Sequence, residues 1–143
     1  MSYGFVYVLG NACMPGIYKV GMTDRAPMQR CRELSAATAA PMGFDLLFYI
    51  EVDEALKVEH EIHSLFAEER VNESREFFEV SFSRLIECLR DRAENYCMTF
   101  DGESEFQEEI YREEAAAIQA RVGTFFAQEA DPVHWPRFDD FHF

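Results

Sequence analysis

Two short runs near the N-terminus, "YGFVYVLG" (3–10) and "GIYKVGM" (16–22), constrain this chain more than any other feature. In the first, Tyr3, Phe5, Tyr7 and Leu9 alternate with Val6 and Val8, and a segment so rich in β-branched and aromatic residues reads as a strand. The second reads the same way. The connection "NACMPG" offers Asn, Pro and Gly, the residues of a tight turn, so the two strands are expected to pair as an antiparallel hairpin.

The following "TDRAPMQRCRELSAAT" supplies Thr or Asp as an N-cap, Pro27 in the first turn, and Met28, Cys31 and Leu34 at helical spacing. "GFDLLFYIEV" (43–52) predicts a third strand. "DEALKVEHEIHSLFAEE" (53–69) predicts a second helix, with Ala55, Val58, Ile62, Leu65 and Phe66 on its apolar face. "REFFEV" then gives a short strand and "SFSRLIECLRDRAENY" (81–96) a third helix. The expected fold class is α/β in an α+β sandwich, order β-β-α-β-α-β-α, with a small mixed or antiparallel sheet flanked by helices.

At 143 residues the chain is long enough to bury a core without disulfide or metal support. Residues 1–92 are read as the main domain. Residues 93–143 are read as an acidic, aromatic extension: a helix in "SEFQEEIYREEAAAIQARVGTFFAQEA", then "DPVHWPRFDDFHF". The net charge of -14 divides as ten basic against fifteen acidic residues before residue 93 (-5), and three against twelve after it (-9). Cys13, Cys31, Cys88 and Cys97 fall singly, without a C-x-x-C pair, and are expected to be reduced thiols of a cytoplasmic protein. No apolar stretch is long enough to span a bilayer, so no membrane role is expected.

The ordered set of fragments resembles the GIY-YIG nuclease superfamily, in its phage and bacterial branch with a Lys-Ile-Gly-type second motif. The resemblance covers about residues 3–90. The literal Gly16-Ile17-Tyr18 is a coincidence of spelling, because the second half-motif would then fall near residue 28, where the chain turns helical. "FVY" (5–7) as the first half and "KVG" (19–21) as the second restore the spacing, and Arg30 follows nine residues after Gly21. "ALKVEHEIH" places Glu59 as the family's helix carboxylate is placed, and Asn72 with "REFF" closes the pattern.

The resemblance implies a metal-dependent endonuclease acting on DNA. Tyr7 would be the hydroxyl near the attacking water, Arg30 the guanidinium on the phosphate, and Glu59 the carboxylate on Mg2+ or Mn2+. Asn72 would be a polar orienter, and His63, one turn beyond Glu59, would border the site. Lys19 stands where the family's name-giving motif has its second Tyr. Tyr18 cannot replace it, since successive strand side chains point to opposite faces. Lys19 is expected to place charge against the phosphate, with general-base catalysis the other reading. Arg25, Arg32 and Arg70 would add substrate-binding charge.

His60 and His63 lack the H-E-x-x-H frame of a zinc protease, and no Cys cluster joins them. The acidity of the chain opposes a broad nucleic-acid surface, since DNA binding leans on Lys and Arg at phosphates. It leaves an alternative: a weakly active or inactive binding protein on the same fold, whose acidic surface mimics nucleic acid or docks a basic protein. The tail would then be the working surface, with Trp135, Phe138, Phe141 and Phe143 as anchors beside Asp139 and Asp140. A tail folded over Arg30 and Lys19 as an autoinhibitor, and a homodimer, are further expectations that the sequence leaves open.

Overall fold

A computed structural model describes residues 3–37, 43–71 and 76–129 of the chain. They fall into two compact units, Met1–Glu109 and Ile110–Phe143. The first is built on a five-stranded sheet, antiparallel throughout, in the order β4-β2-β1-β3-β5.

The hairpin of β1 (Gly4–Gly10) and β2 (Ile17–Thr23) forms as expected, with Tyr7 opposite Gly21 and Leu9 opposite Lys19. Its turn places Gly16 at a φ of 80°, a left-handed conformation that glycine adopts without penalty. β3 (Asp45–Val52) pairs with the other edge of β1, and the register shifts between Val8 and Leu9. The short β4 (Phe77–Glu79) covers only the first part of β2, reaching Lys19. Beyond Lys19 this edge of β2 keeps one backbone bond, from the Val20 N–H to the Glu76 carbonyl, and otherwise meets side chains rather than a full-length neighbouring strand.

Alternation divides the sheet's two faces. Val6, Val8, Tyr18, Val20, Phe48, Ile50 and Phe78 belong to the larger core, with Val58 and Ile62 of α2 (Ala55–Leu65) and Leu85 and Leu89 of α3 (Phe82–Arg90). Tyr7 and Leu9 face the other way, against Cys31 of α1 (Pro27–Ala37) and Leu46. Tyr18 is thus a core residue on the face opposite Lys19, as strand alternation requires, and its hydroxyl donates to Glu105 at 2.5 Å.

Three features depart from the sequence reading. Leu65, expected on the apolar face of α2, is 46% exposed, because the helix ends there and Phe66 takes the buried place. The third helix does not run through Tyr96. It ends at Arg90, where the Arg92 and Ala93 N–H groups turn back to the Leu89 and Arg90 carbonyls, and Asn95–Met98 form β5 beside β3. The Glu94 N–H already donates to the Glu51 carbonyl, so the edge ladder starts immediately after the turn. The last helix, α4 (Phe100–Glu129), starts earlier than expected because Thr99 caps it. Its Oγ1 accepts from the Gly102 N–H at 3.0 Å and donates to the Leu46 and Leu47 carbonyls of β3. Gly102 is required there, since a Cβ would collide with the Leu47 carbonyl.

Glu109 fastens this part of α4 to α3. Its buried carboxylate accepts from Ser81 Oγ at 2.8 Å, the Phe82 N–H at 2.5 Å, and the Ser83 N–H and Oγ at 3.2 and 2.9 Å. These are N-terminal helix groups that need an acceptor. The four cysteines are free. No described helix is long and apolar enough to cross a membrane.

Candidate active site

The part of β2 that β4 does not cover is where the candidate residues gather. Glu59 and His63, four residues apart on α2, lie on one helix face and supply the partners that a neighbouring strand would otherwise provide. The Met22 N–H donates to the Glu59 carboxylate, and His63 Nε2 donates to the Val20 carbonyl at 2.8 Å. The Val20 N–H itself donates to the Glu76 carbonyl.

The tautomer of His63 follows from its second partner. Arg70 Nη2 approaches Nδ1 at 3.1 Å, and a guanidinium can only donate, so Nδ1 carries the lone pair and Nε2 the proton. Burial holds the imidazole's pKa below its ordinary value, against the opposing pull of the Val20 carbonyl. His63 is therefore a neutral ring with both nitrogens engaged. Arg70 also stacks over Phe78, its guanidinium carbon 5.3 Å from the ring centroid.

On the opposite face, Tyr7 is buried and its ring crosses the backbone of Gly21. Arg30 of α1 donates to its phenol oxygen. Burial raises the phenol's pKa, Arg30 pulls it down, and the charges of Glu76 and Glu59 raise it further, which places both carboxylates within electrostatic reach of Tyr7. Lys19 shares this face. Its Nζ lies 3.2 Å from Glu76 Oε2 and 5.3 Å from the centroid of Phe77, its strand partner.

Glu59 is only 6% exposed, and desolvation followed by repulsion from Glu76 pushes its pKa up, while His60, the Met22 N–H and Lys19 oppose the shift. One ligand atom each from Glu59, His63 and Glu76 falls within a 4.8 Å spread. The two carboxylates suit a hard divalent cation, which would relieve their mutual repulsion. His63 fits that role less well, since either nitrogen would have to leave its present partner. Glu76 was not singled out from sequence. It lies inside the "REFF" run, but one more Glu in an acidic chain carries no periodic or spacing signal.

Arg25 makes a bidentate pair with Glu33, at 2.7 Å on both arms, and Arg30 reaches the same carboxylate at 3.4 Å. Arg32 is exposed, about 200° round α1 from Arg30. Asn72 lies outside the described residues, as do the tail residues Trp135, Phe138, Asp139, Asp140, Phe141 and Phe143. The geometry thus brings Tyr7, Lys19, Arg30, Glu59 and Glu76 together from five elements or their flanks, with His63 behind Glu59, and leaves Arg32 apart.

The model of one protein family, the T5orf172 domain, matches residues 4–93, which hold every described residue of this cluster. The chain belongs to the T5orf172 domain family. That family is GIY-YIG-like and nuclease-related. No curated protein and no solved structure matches the chain. The T5orf172 match stops before the capped start of α4, so Glu105 and Glu109, which tie α4 to Tyr18 and α3, lie beyond it.

Proposed function

We propose that this T5orf172-domain protein is a metal-dependent endonuclease that hydrolyses DNA phosphodiesters through a GIY-YIG-type site. The observation that carries the reading is the convergence of Tyr7, Arg30, Lys19 and Glu59 at one edge of β2, although they come from opposite faces of the sheet. Phosphodiester hydrolysis needs a positioned water, neutralisation of charge on the phosphate and a handle on the leaving oxygen.

Tyr7 would orient the water through its phenol oxygen, with burial keeping the proton on that oxygen until reaction. Arg30, already directed at Tyr7, would stabilise charge on the phosphate. Lys19 would add a second cation after exchanging Glu76 for a phosphate oxygen, the electrostatic role rather than that of a base. Glu59, with Glu76 in reach, would hold Mg2+ or Mn2+, which when bound supplies Lewis-acid neutralisation at the phosphate. Arg25 would bind the substrate backbone beside them. His63 acts behind this layer by holding the β2 edge, and Asn72 keeps the orienting role that the resemblance implies.

The test is nicking of supercoiled plasmid with Mg2+ or Mn2+ at low salt, comparing wild type with Glu59→Ala and Arg30→Ala. Loss of a preorganised charge-stabilising group costs roughly a hundredfold to a thousandfold in rate, so both variants should be silent. Absence of cleavage in the wild type, or cleavage indifferent to both changes, would overturn the nuclease and favour the acidic binding protein.

A further inference from the structure

The second compact unit carries an apolar seam. Tyr111, Ala115, Ile118, Val122 and Phe125 follow one another at intervals of 4, 3, 4 and 3 residues along α4. This alternation averages the 3.5-residue period that keeps one stripe of a helix facing a second helix. The four large members are 46–65% exposed: Tyr111 65%, Ile118 53%, Val122 46% and Phe125 55%. Such a face, regular over two heptads and open, is the pattern of a helix–helix seam rather than of scattered surface apolar residues.

Charge says which helix fits. Between Ile110 and Ala127, Arg112 and Arg121 balance Glu113 and Glu114, so this stretch is neutral within a chain of net charge -14. Elsewhere the acidity would repel a second copy, and a strongly basic or acidic partner would find nothing to answer its charge along this seam. The flanks of the seam also mix signs, with Arg112, Glu114 and Arg121 beside it, as the charged flanking positions of paired helices do. Alanines at 116, 117, 120 and 127 form the opposite side and favour helix without calling for burial.

We propose that α4 is a self-association element, in which residues 111–125 of two copies of this chain pair along the Tyr111-Ala115-Ile118-Val122-Phe125 seam. Two heptads make a short contact, about 21 Å of helix. The dimer is therefore concentration-dependent rather than permanent. The inference is independent of phosphodiester hydrolysis, because none of the seam residues belongs to the candidate active site.

Sedimentation equilibrium of the full chain, from low to high micromolar concentration, tests it. Wild type should show a reversible monomer–dimer equilibrium. Ile118→Glu and Val122→Glu, which place a charge in the seam of both copies, should each raise the dissociation constant at least tenfold, about 1.4 kcal/mol or more. Ala120→Glu, on the opposite side of the same helix, should leave association unchanged, with far-ultraviolet circular dichroism confirming the helix in all three. A wild type that stays monomeric throughout overturns the proposal. So does a dimer that ignores Ile118→Glu, or one that Ala120→Glu weakens equally.

Discussion

The Tyr7 ring lies against the backbone of Gly21, its partner across the β1–β2 ladder, and fills the space that a Cβ at position 21 would occupy. A glycine in the middle of a strand normally weakens it. Here it lets the phenol pass over β2 towards Arg30 and the two carboxylates. Gly21→Ala should therefore drive the ring from its place, costing about 1–3 kcal/mol as other overpacked sites do, and lower cleavage with it. Removing the ring as well, in Tyr7→Ala with Gly21→Ala, should show a stability loss smaller than the sum of the two single changes. Chemical denaturation measures this, and strict additivity would mean that the two residues do not compete for the same space.

Glu59 is held in the fold at a cost. Because burial and Glu76 raise its pKa in the folded state, ionising it disfavours folding. Its contribution to stability is greatest below the ordinary carboxylate pKa and falls as pH rises through the raised one. Glu59→Gln keeps an oxygen for the Met22 N–H and removes the charge. The variant should be more stable than wild type at neutral pH, lose that advantage when both are compared at acid pH, and be inactive throughout. Urea unfolding at the two pH values would decide it. A variant less stable at neutral pH would show that the carboxylate is compensated by its neighbours.

Under the proposed function, Glu33 would compete with a substrate phosphate for the guanidinium groups of Arg25 and Arg30. Its carboxylate binds Arg25 through both oxygens and touches Arg30, and the Arg25 hydrogen bond holds its pKa below the usual range. The pair is exposed and contributes little to stability. Glu33→Gln should leave the unfolding midpoint nearly unchanged and tighten DNA binding by roughly threefold to tenfold at low salt, an advantage that shrinks as salt is added. Fluorescence anisotropy with a labelled duplex reads the effect. Equal affinities would remove Arg25 from the substrate surface.

How far the sequence reached depends on which signal each element carried. The hairpin, α1, β3 and α2 were legible because alternation, turn residues and helical spacing agreed over long segments. β5 was not, because Asn95 and Tyr96 are exposed, and the strand is defined by pairing with β3 rather than by an apolar face. In the site, the resemblance points to Tyr7 and Lys19 through the two half-motifs and to Arg30 and Glu59 through the family's offsets from Gly21 and Ala55, and the structure gathers these four around one edge of β2. Arg32 lies only two residues from Arg30 in sequence, but two residues along a helix are nearly opposite in space, which the basic residues' closeness in the chain does not reveal. The link from Glu109 to Ser81, Phe82 and Ser83 had no local signal, since it joins residues 26 to 28 positions apart.

That link gives the opposite pH signature to Glu59. Burial alone would raise the Glu109 pKa, but hydrogen bonds from Ser81, Ser83 and the Phe82 N–H more than offset it, and the folded-state pKa is lowered. A carboxylate of this kind contributes stability above its unfolded pKa and loses it as pH falls through the lowered one. Glu109→Ala would leave the first N–H groups of α3 without their acceptor in a buried setting, a loss of about 2–3 kcal/mol. The variant should be destabilised at neutral pH, and the gap to wild type should close under acid conditions, where wild-type Glu109 is protonated. Hydrogen exchange should locate the change at residues 82–84 and in α4 before Glu109, with β1 and β2 protected as before. A deficit that persists undiminished in acid would show that the Glu109 side chain acts by packing and that its charge contributes nothing to holding α4 against α3.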